Sequence, residues 1–293
     1  MSYGSKLACL SLAAFFIVHY AAAMAATIAA PLAIRMAGRM RAGAAARFLL
    51  TVRFAPAAIA LLLVAALCVP SYLSFEPQAA AEQAGTLCLL LALLCASVWA
   101  ISLARGARAI WRSRDLRGFT VALAGLLRPR VLVSPEVRRA LSPEELAAAL
   151  RHEQAHAASH DNLKRLLMLL APDLFPFFRG GFANLERTWK KFAEWSADDR
   201  AVNGDAERSL ALASALVRVA RLGSAAPAAP LVTCLTDGDL AARIDRLLHP
   251  APDGRPDRWT PVVCALGGIA FAAAILQPAV WAGVYEILER LIR

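Results

Sequence analysis

The chain has 293 residues, of which 59% are hydrophobic and 18% are charged, and its formal net charge is +10. Soluble domains have about 45 to 50% apolar and about 25% charged residues, so the composition excludes an ordinary soluble domain. It also excludes a disordered chain, which is poor in apolar residues. A joint excess of apolar and basic residues is typical of a membrane protein whose basic residues flank its spans.

Four stretches of the sequence contain no Asp, Glu, Lys or Arg and are long enough to cross a bilayer, which takes about 20 apolar residues. They predict transmembrane helices at about 7–34, 54–75, 83–104 and 259–285. A chain of this size has no body large enough to bury four such helices. We therefore predict a mainly α, polytopic membrane protein with four transmembrane helices.

The basic residues indicate on which side of the membrane each loop lies. Residues 6–53 contain six basic and no acidic side chains, and residues 105–130 contain seven basic side chains against one acidic. The loop between the second and third spans carries two acidic side chains and no basic ones. Because Lys and Arg concentrate in cytoplasmic loops, we expect both termini outside and the segment between spans three and four in the cytoplasm. The expected location is the inner (cytoplasmic) membrane.

The rest of the chain divides by charge into a basic juxtamembrane link at 105–130, a cytoplasmic domain at 131–258 and a short tail at 286–293. The domain holds 17 basic and 17 acidic residues. This balance argues against direct nucleic-acid binding, which requires a basic surface. The β-branched run from Arg130 to Ser134 is bounded by two prolines and predicts one short strand.

The domain is otherwise predicted to be helical. Ser142, Pro143 and Glu145 form a capping-box sequence that predicts a helix start near residue 143. No helix breaker follows before Pro172, so one uninterrupted helix is expected up to that point. Further helices are predicted at about 182–203, 205–222 and 237–248.

The first of these helices carries the run His-Glu-Gln-Ala-His, from His152 to His156. Residues four apart face the same way on a helix, so both imidazoles can bind one zinc ion. Glu153 stands beside the first ligand, where it can act as general base toward a water molecule. The motif predicts one Zn²⁺ per chain, with His152 and His156 as ligands and Glu153 as the catalytic base.

A catalytic zinc site needs three protein ligands and one open position. His160 continues the spacing, but it lies about 12 Å from His152 along the helix axis, too far to share one ion. Glu194, on a separate predicted helix, is the better candidate for the third ligand. Asp198, one turn later, is placed to hold a ligand imidazole by a hydrogen bond. The candidate donors to a developing oxyanion are His249, Arg243 and Arg200.

The order of these features is similar to the membrane metallopeptidase domain of the BlaR/MecR antirepressor family. The resemblance rests on three spans, then Leu-Ser-Pro-Glu-Glu-Leu, His-Glu-Gln-Ala-His, Glu-Trp-Ser-Ala-Asp-Asp and Ala-Arg-Ile-Asp-Arg-Leu-Leu, and a fourth span. It implies a gluzincin (zincin-like) fold for the domain between spans three and four, with His152, His156 and Glu194 as zinc ligands and Glu153 as base. It also implies regulatory proteolysis of a cytoplasmic transcriptional repressor.

The β-lactam receptors of that family carry a penicillin-binding sensor domain after the fourth span. This sequence ends at Arg293, shortly after the fourth predicted span, so we expect it to lack that domain and not to sense β-lactams.

The sequence thus predicts a zinc metalloendopeptidase whose partners are a protein substrate, the lipid bilayer and, as a further candidate, a second copy in a homodimer. One alternative is a membrane quality-control peptidase of the HtpX/CAAX-protease type, which shares the motif and a downstream Glu. The three spans before the motif favour the BlaR/MecR arrangement. A second alternative is a non-proteolytic membrane signal transducer with a structural zinc site.

Overall fold

The computed structural model describes residues 2–76, 85–114, 121–173, 179–222, 230–236, 238–249, 273 and 277–292. Three long helices come first: α1 (Tyr3–Ala37), α2 (Ala42–Phe75) and α3 (Thr86–Arg112). Each is long and apolar enough to cross a membrane. The first three predicted spans are therefore confirmed as candidate membrane-spanning helices. One turn of α2, Val64–Cys68, is π-helical.

The elements that follow are mostly short. The strands are β1 (Val121–Ala124), β2 (Arg130–Val133) and β3 (Thr233–Cys234). The helices are α4 (Pro135–Ala140), α5 (Pro143–Ser159), α6 (Asp161–Leu170), α7 (Arg179–Val202), α8 (Ala206–Arg221), α9 (Leu240–Leu248) and α10 (Pro278–Ile292). The protein is mainly helical, as predicted.

The fourth predicted span, residues 259–285, lies largely outside the described residues. Only its last part coincides with α10, so this span stays a prediction. α10, the end of α2 and the start of α1 meet at one buried polar group. Glu76 accepts a hydrogen bond from Tyr285 at 2.7 Å and forms an ion pair with Lys6.

The three strands form one antiparallel sheet in the order β2-β1-β3. Leu123 of β1 lies opposite Val131 of β2 and Thr233 of β3. β2 matches the predicted strand, whereas β1 lies within the segment expected to be a link and β3 was not predicted. β1 reads Val-Ala-Leu-Ala and β3 has two residues. Neither shows the alternation of apolar and polar residues that identifies a strand in a sequence.

The structure corrects the prediction of one uninterrupted helix up to Pro172. α5 and α6 replace it, and His160 between them adopts a left-handed φ of 54°. The side chain of Asn162 donates hydrogen bonds to the carbonyls of Leu123 at 2.9 Å and Gly125 at 3.0 Å. These two bonds hold α6 against the end of β1 and stabilise the change of chain direction after α5.

α7 runs antiparallel along α2. At one end of the contact, Arg53 of α2 donates a hydrogen bond to Glu186 of α7 at 2.6 Å. Ten residues away on each helix, Gly43 of α2 lies against Ser196 of α7. A Cβ atom added to this glycine would lie only 3.1 Å from the Ser196 hydroxyl. The turn between α1 and α2 therefore lies beside the part of α7 that carries the predicted site residues.

Two apolar clusters hold these elements together. The first lies among α5, α8 and the sheet and includes Val121, Ala148, Ala149, Leu212, Leu216 and Leu235. The second joins α7 to the α1–α2 hairpin and includes Ala37, Ala45, Leu49, Leu185, Trp189 and Phe192. Burial of such side chains contributes about 25 cal/mol per Å² of apolar surface. The second cluster fixes α7, and thus the residues it carries, against the long hairpin.

Candidate metal centre

α5 carries the His-Glu-Gln-Ala-His run, and a complete capping box determines where this helix begins. The Ser142 hydroxyl accepts a hydrogen bond from the Glu145 N–H at 3.3 Å, and the Glu145 carboxylate accepts one from the Ser142 N–H at 2.8 Å. Pro143 occupies the first turn, where its missing N–H removes no helical hydrogen bond. His152 and His156 consequently lie one turn apart on a fully buried face of α5.

Three ligand atoms from α5 and α7 meet in the interior. The Nε2 atoms of His152 and His156 lie 3.1 Å apart, and Glu194 Oε2 lies 3.5 and 3.4 Å from them, respectively. In a tetrahedral site with ligand distances of about 2.0 to 2.1 Å, neighbouring ligand atoms are about 3.3 to 3.4 Å apart. The three buried side chains therefore have the spacing to hold one metal ion.

The carboxylates of Glu153 and Glu194 are fully buried, and their oxygens have no hydrogen-bond partner among the described residues. A buried charged group without such a partner is costly. Oxygens of this kind are available to a group bound at the site. A cation bound by Glu194, with a polar molecule beside it that contacts Glu153, would satisfy both carboxylates.

The ionisable side chains at this centre shift one another's pKa values. Burial raises the pKa of Glu153 to about 7, against the opposing effect of the rings of His152 and His156. Burial also favours a high pKa for Glu194, but His156 and His152 hold it well below its ordinary value. Burial alone would lower the pKa of His156, whereas the carboxylates of Glu194 and Asp161 raise it. Glu194 is therefore ionised, as a carboxylate ligand must be, and a metal ion at this point would displace the proton from the Nε2 atom of each ligating imidazole.

Each histidine is held by a carboxylate through its other ring nitrogen. His152 Nδ1 lies 2.9 Å from Asp198 Oδ1, and His156 Nδ1 lies 2.7 Å from Asp161 Oδ2. Because a carboxylate accepts hydrogen bonds, each Nδ1 carries a proton, and each Nε2 can present its lone pair to the shared point. Asp198 and Asp161 thus orient the two rings for metal binding.

Arg243 of α9 is buried behind His152. Its Nε and Nη2 atoms donate hydrogen bonds to the two oxygens of Asp198 at 2.9 and 2.7 Å, and Nη1 donates to the Leu235 carbonyl at 2.7 Å. Nη1 also lies 3.4 Å from Glu194 Oε2. The guanidinium therefore orients Asp198 and balances the carboxylate charge. Its Nη2 atom also lies 3.5 Å from Nδ1 and 3.4 Å from Nε2 of His152, so the guanidinium contacts the metal centre directly.

The other two candidate oxyanion donors have contacts elsewhere. The Arg200 guanidinium donates a hydrogen bond to the Ser159 hydroxyl at 2.6 Å. His249 is exposed at the end of α9, and its Nδ1 lies 3.2 Å from Asp245 Oδ1. The structure thus brings Arg243 to the metal centre and leaves Arg200 and His249 out of contact with its ligands.

Two further residues of the centre, Asp161 and Arg165, were not predicted from the sequence. Both lie on α6, which the break after α5 turns toward Glu194. Arg165 Nη2 lies 3.6 Å from Glu194 Oε1, and Nη1 donates to the Val232 carbonyl at 3.1 Å. The run Ser-His-Asp-Asn at residues 159–162 contains residues that favour turns and helix starts. This run is the signal in the sequence that indicates a break after α5. His160 itself is exposed and outside the ligand group.

These residues define a class of site, a buried His-His-Glu group that can hold a metal ion with a further carboxylate beside it. Comparison of the chain with known protein families, characterised proteins and solved structures finds no match. Its function is therefore inferred from the residues of the site and the motifs of the sequence.

Proposed function

We propose that the chain is a membrane zinc metalloendopeptidase that hydrolyses peptide bonds of a protein substrate on the cytoplasmic side of the membrane. One observation carries the proposal: the ligand atoms of His152, His156 and Glu194 lie 3.1 to 3.5 Å apart, beside the buried carboxylate of Glu153. Three ligands with an adjacent carboxylate are the set that a zinc peptidase requires.

His152, His156 and Glu194 would hold one zinc ion per chain, since mixed imidazole and carboxylate ligation suits zinc. When bound, zinc polarises the scissile carbonyl and lowers the pKa of the attacking water. A structural zinc site has four protein ligands, whereas a catalytic site has three and an open position. The group has three such side chains within the described ranges. This number favours catalysis over the alternative of a non-proteolytic transducer with a structural zinc site.

Glu153 is the proposed general base. It follows His152 on α5, and burial raises its pKa to about 7, so its carboxylate can take a proton from water and deliver it to the leaving amine. Asp198 and Asp161 keep the imidazole rings directed at the site, and Arg243 keeps Asp198 in place. These three residues act through the ligands and are positioning residues.

The proposed biological role is regulatory proteolysis, with inactivation of a cytoplasmic transcriptional repressor as its outcome. The resemblance to the BlaR/MecR family motivates this role, and the three candidate spans that precede α5 support it. The alternative, a quality-control peptidase of the HtpX/CAAX-protease type, differs in its substrate, which would be a damaged or prenylated membrane protein.

The test is a proteomic comparison of cells that carry the wild-type protein or Glu153→Gln, with new peptide termini as the readout. We expect one cleavage product that depends on the wild-type protein and falls by a factor of about 10² to 10⁴ in the variant. Gln154→Ala, which changes the exposed neighbour of Glu153 on α5, is the matched control and should cleave normally. A repressor as substrate supports regulation, and misfolded membrane proteins support quality control.

Metal content gives a second, independent measurement. Purified Glu153→Gln should retain one zinc ion per chain, and Glu194→Ala should lose it. If Glu153→Gln retains zinc and cleaves at the wild-type rate, the assignment of the base is wrong. If the wild-type protein binds no zinc, the metal centre is wrong.

A further inference from the structure

A cavity of about 150 Å³ lies beside the metal centre, among α2, the α5–α6 junction and α7. In another protein, a cavity of about this volume holds a molecule the size of benzene. The cavity can therefore accommodate a compact group of about six non-hydrogen atoms. Its polar lining includes Arg47, Lys164, Arg200, Asp161, Ser159 and Ser196.

The lining is cationic, with three basic side chains and one carboxylate. Asp161, the carboxylate, already accepts hydrogen bonds from His156 at 2.7 Å and Lys164 at 2.9 Å. Among the residues that the structure describes, none forms a hydrogen bond or ion pair with the Arg47 guanidinium. The Arg200 guanidinium bonds hydroxyl and carbonyl oxygens and no carboxylate. Two guanidinium groups at this cavity, both on solvent-exposed residues, thus lack an anionic partner within the described ranges and are accessible to an anion from solution.

The start of α2 adds positive potential to the same place. Arg41 precedes this helix without capping it through its side chain, and the first turn contains no acidic residue. Gly43 in that turn lines the cavity, and a Cβ built on it would lie 3.8 Å from Arg47 Nη1. The guanidinium therefore lies near the first turn of α2, where the free N–H groups of a helix attract anions.

We propose that this cavity binds a phosphate group, carried by an anionic phospholipid or as a free anion. A guanidinium group binds two oxygens of a phosphate or carboxylate at once, and a phosphate group has enough oxygens to bind both arginines in this way, which favours phosphate as the occupant. Arg47 lies six residues, or about 9 Å along the helix axis, from Arg53, where the charge-free stretch of α2 begins. The headgroup layer extends about 5 to 8 Å beyond the hydrocarbon core, so a lipid phosphate at the membrane surface can approach the cavity. This site does not depend on peptidase activity.

The test is native mass spectrometry of the full chain in neutral detergent, titrated with dioctanoyl phosphatidylglycerol or with dioctanoylglycerol, which lacks phosphate. We expect saturable binding of the first lipid alone. Because charge-assisted hydrogen bonds contribute strongly, Arg47→Gln and Arg200→Gln should each weaken binding by about tenfold or more. Arg47→Lys keeps the charge and should restore part of the affinity.

Arg39→Gln is the matched control because Arg39 is an exposed basic residue of the α1–α2 turn outside the cavity lining. It should leave the affinity unchanged, and unfolding temperatures should show that all variants fold. Competition by inorganic phosphate identifies a free phosphate site, and failure to compete identifies a lipid site. Three results would each overturn the proposal. Arg39→Gln and Arg47→Gln could lose affinity equally, the neutral lipid could bind as well as the phospholipid, or neither phosphate probe could bind.

Discussion

Arg243 and Asp198 form a buried ion pair through two hydrogen bonds, with Nε 2.9 Å from Oδ2 and Nη2 2.7 Å from Oδ1. The two residues come from different helices, α9 and α7. Asp198 in turn holds His152 Nδ1 at 2.9 Å. The orientation of a candidate metal ligand on α5 therefore depends on an arginine that follows it by 91 positions in the chain.

Replacing Asp198 by Asn should weaken metal binding and preserve the fold. The substitution removes the charge that pairs with Arg243 and polarises the ring of His152. Loss of a carboxylate behind a ligating histidine lowers metal affinity by about 10-fold to 100-fold. Asp199→Asn is the matched control, because Asp199 pairs with Arg246 at the surface. Zinc affinity is measured by competition with a chelator, and equal affinities in the two variants would show that Asp198 does not support the ligand.

The ligand group could be predicted because it follows local rules. His152 and His156 are one helical turn apart, and the capping box at Ser142 indicates a helix around them. Glu194 was harder to predict, because it lies on another helix, far from the two histidines in the sequence. The structure places Glu194 beside the two histidines, and the sequence pointed to it because the zinc motif requires a third ligand, which restricts the choice among the remaining residues.

The contacts that hold the ligands were harder to predict. Asp161 faces His156 only because α5 ends and the chain turns at His160. The turn-forming residues around His160 are only a weak local signal, because the turn is stabilised by tertiary contacts of Asn162 with Leu123 and Gly125. The strand β1 was missed for a related reason, because four residues with no alternation take their structure from their neighbours.

A stability prediction concerns two leucines two positions apart on α8. Leu212 is 0% exposed in the first apolar cluster, whereas Leu210 is 59% exposed. Leu212→Ala should destabilise the protein by about 2 to 5 kcal/mol, because it leaves a cavity in a packed core. Leu210→Ala should change stability by less than about 0.5 kcal/mol. Thermal unfolding in detergent measures both, and similar midpoints would contradict the packing of α8 against α5.

Arg53 is predicted to hold α7 against the membrane hairpin. Its buried guanidinium pairs with Glu186 at 2.6 Å and Asp173 at 2.7 Å, and these carboxylates are 36% and 31% exposed. Arg53→Met should lower the unfolding temperature. The loss in free energy of unfolding should be less than the roughly 3 to 5 kcal/mol seen when a fully buried pair is broken, because water still reaches both carboxylates. Arg108→Met, at an exposed position of α3, is the control. Equal unfolding temperatures in the two variants would show that the pairs do not stabilise the contact.

The capping box at the start of α5 should contribute measurably to stability. Ser142→Ala removes the hydroxyl that accepts the Glu145 N–H, and loss of such a cap costs about 1 kcal/mol. For a chain of this size, the unfolding midpoint should fall by about 2 to 4 °C. Ser142→Asp supplies another oxygen at the same position and should restore most of the loss. If the Ala and Asp variants unfold at the same temperature, the side chain at this position does not cap the helix that carries the metal ligands.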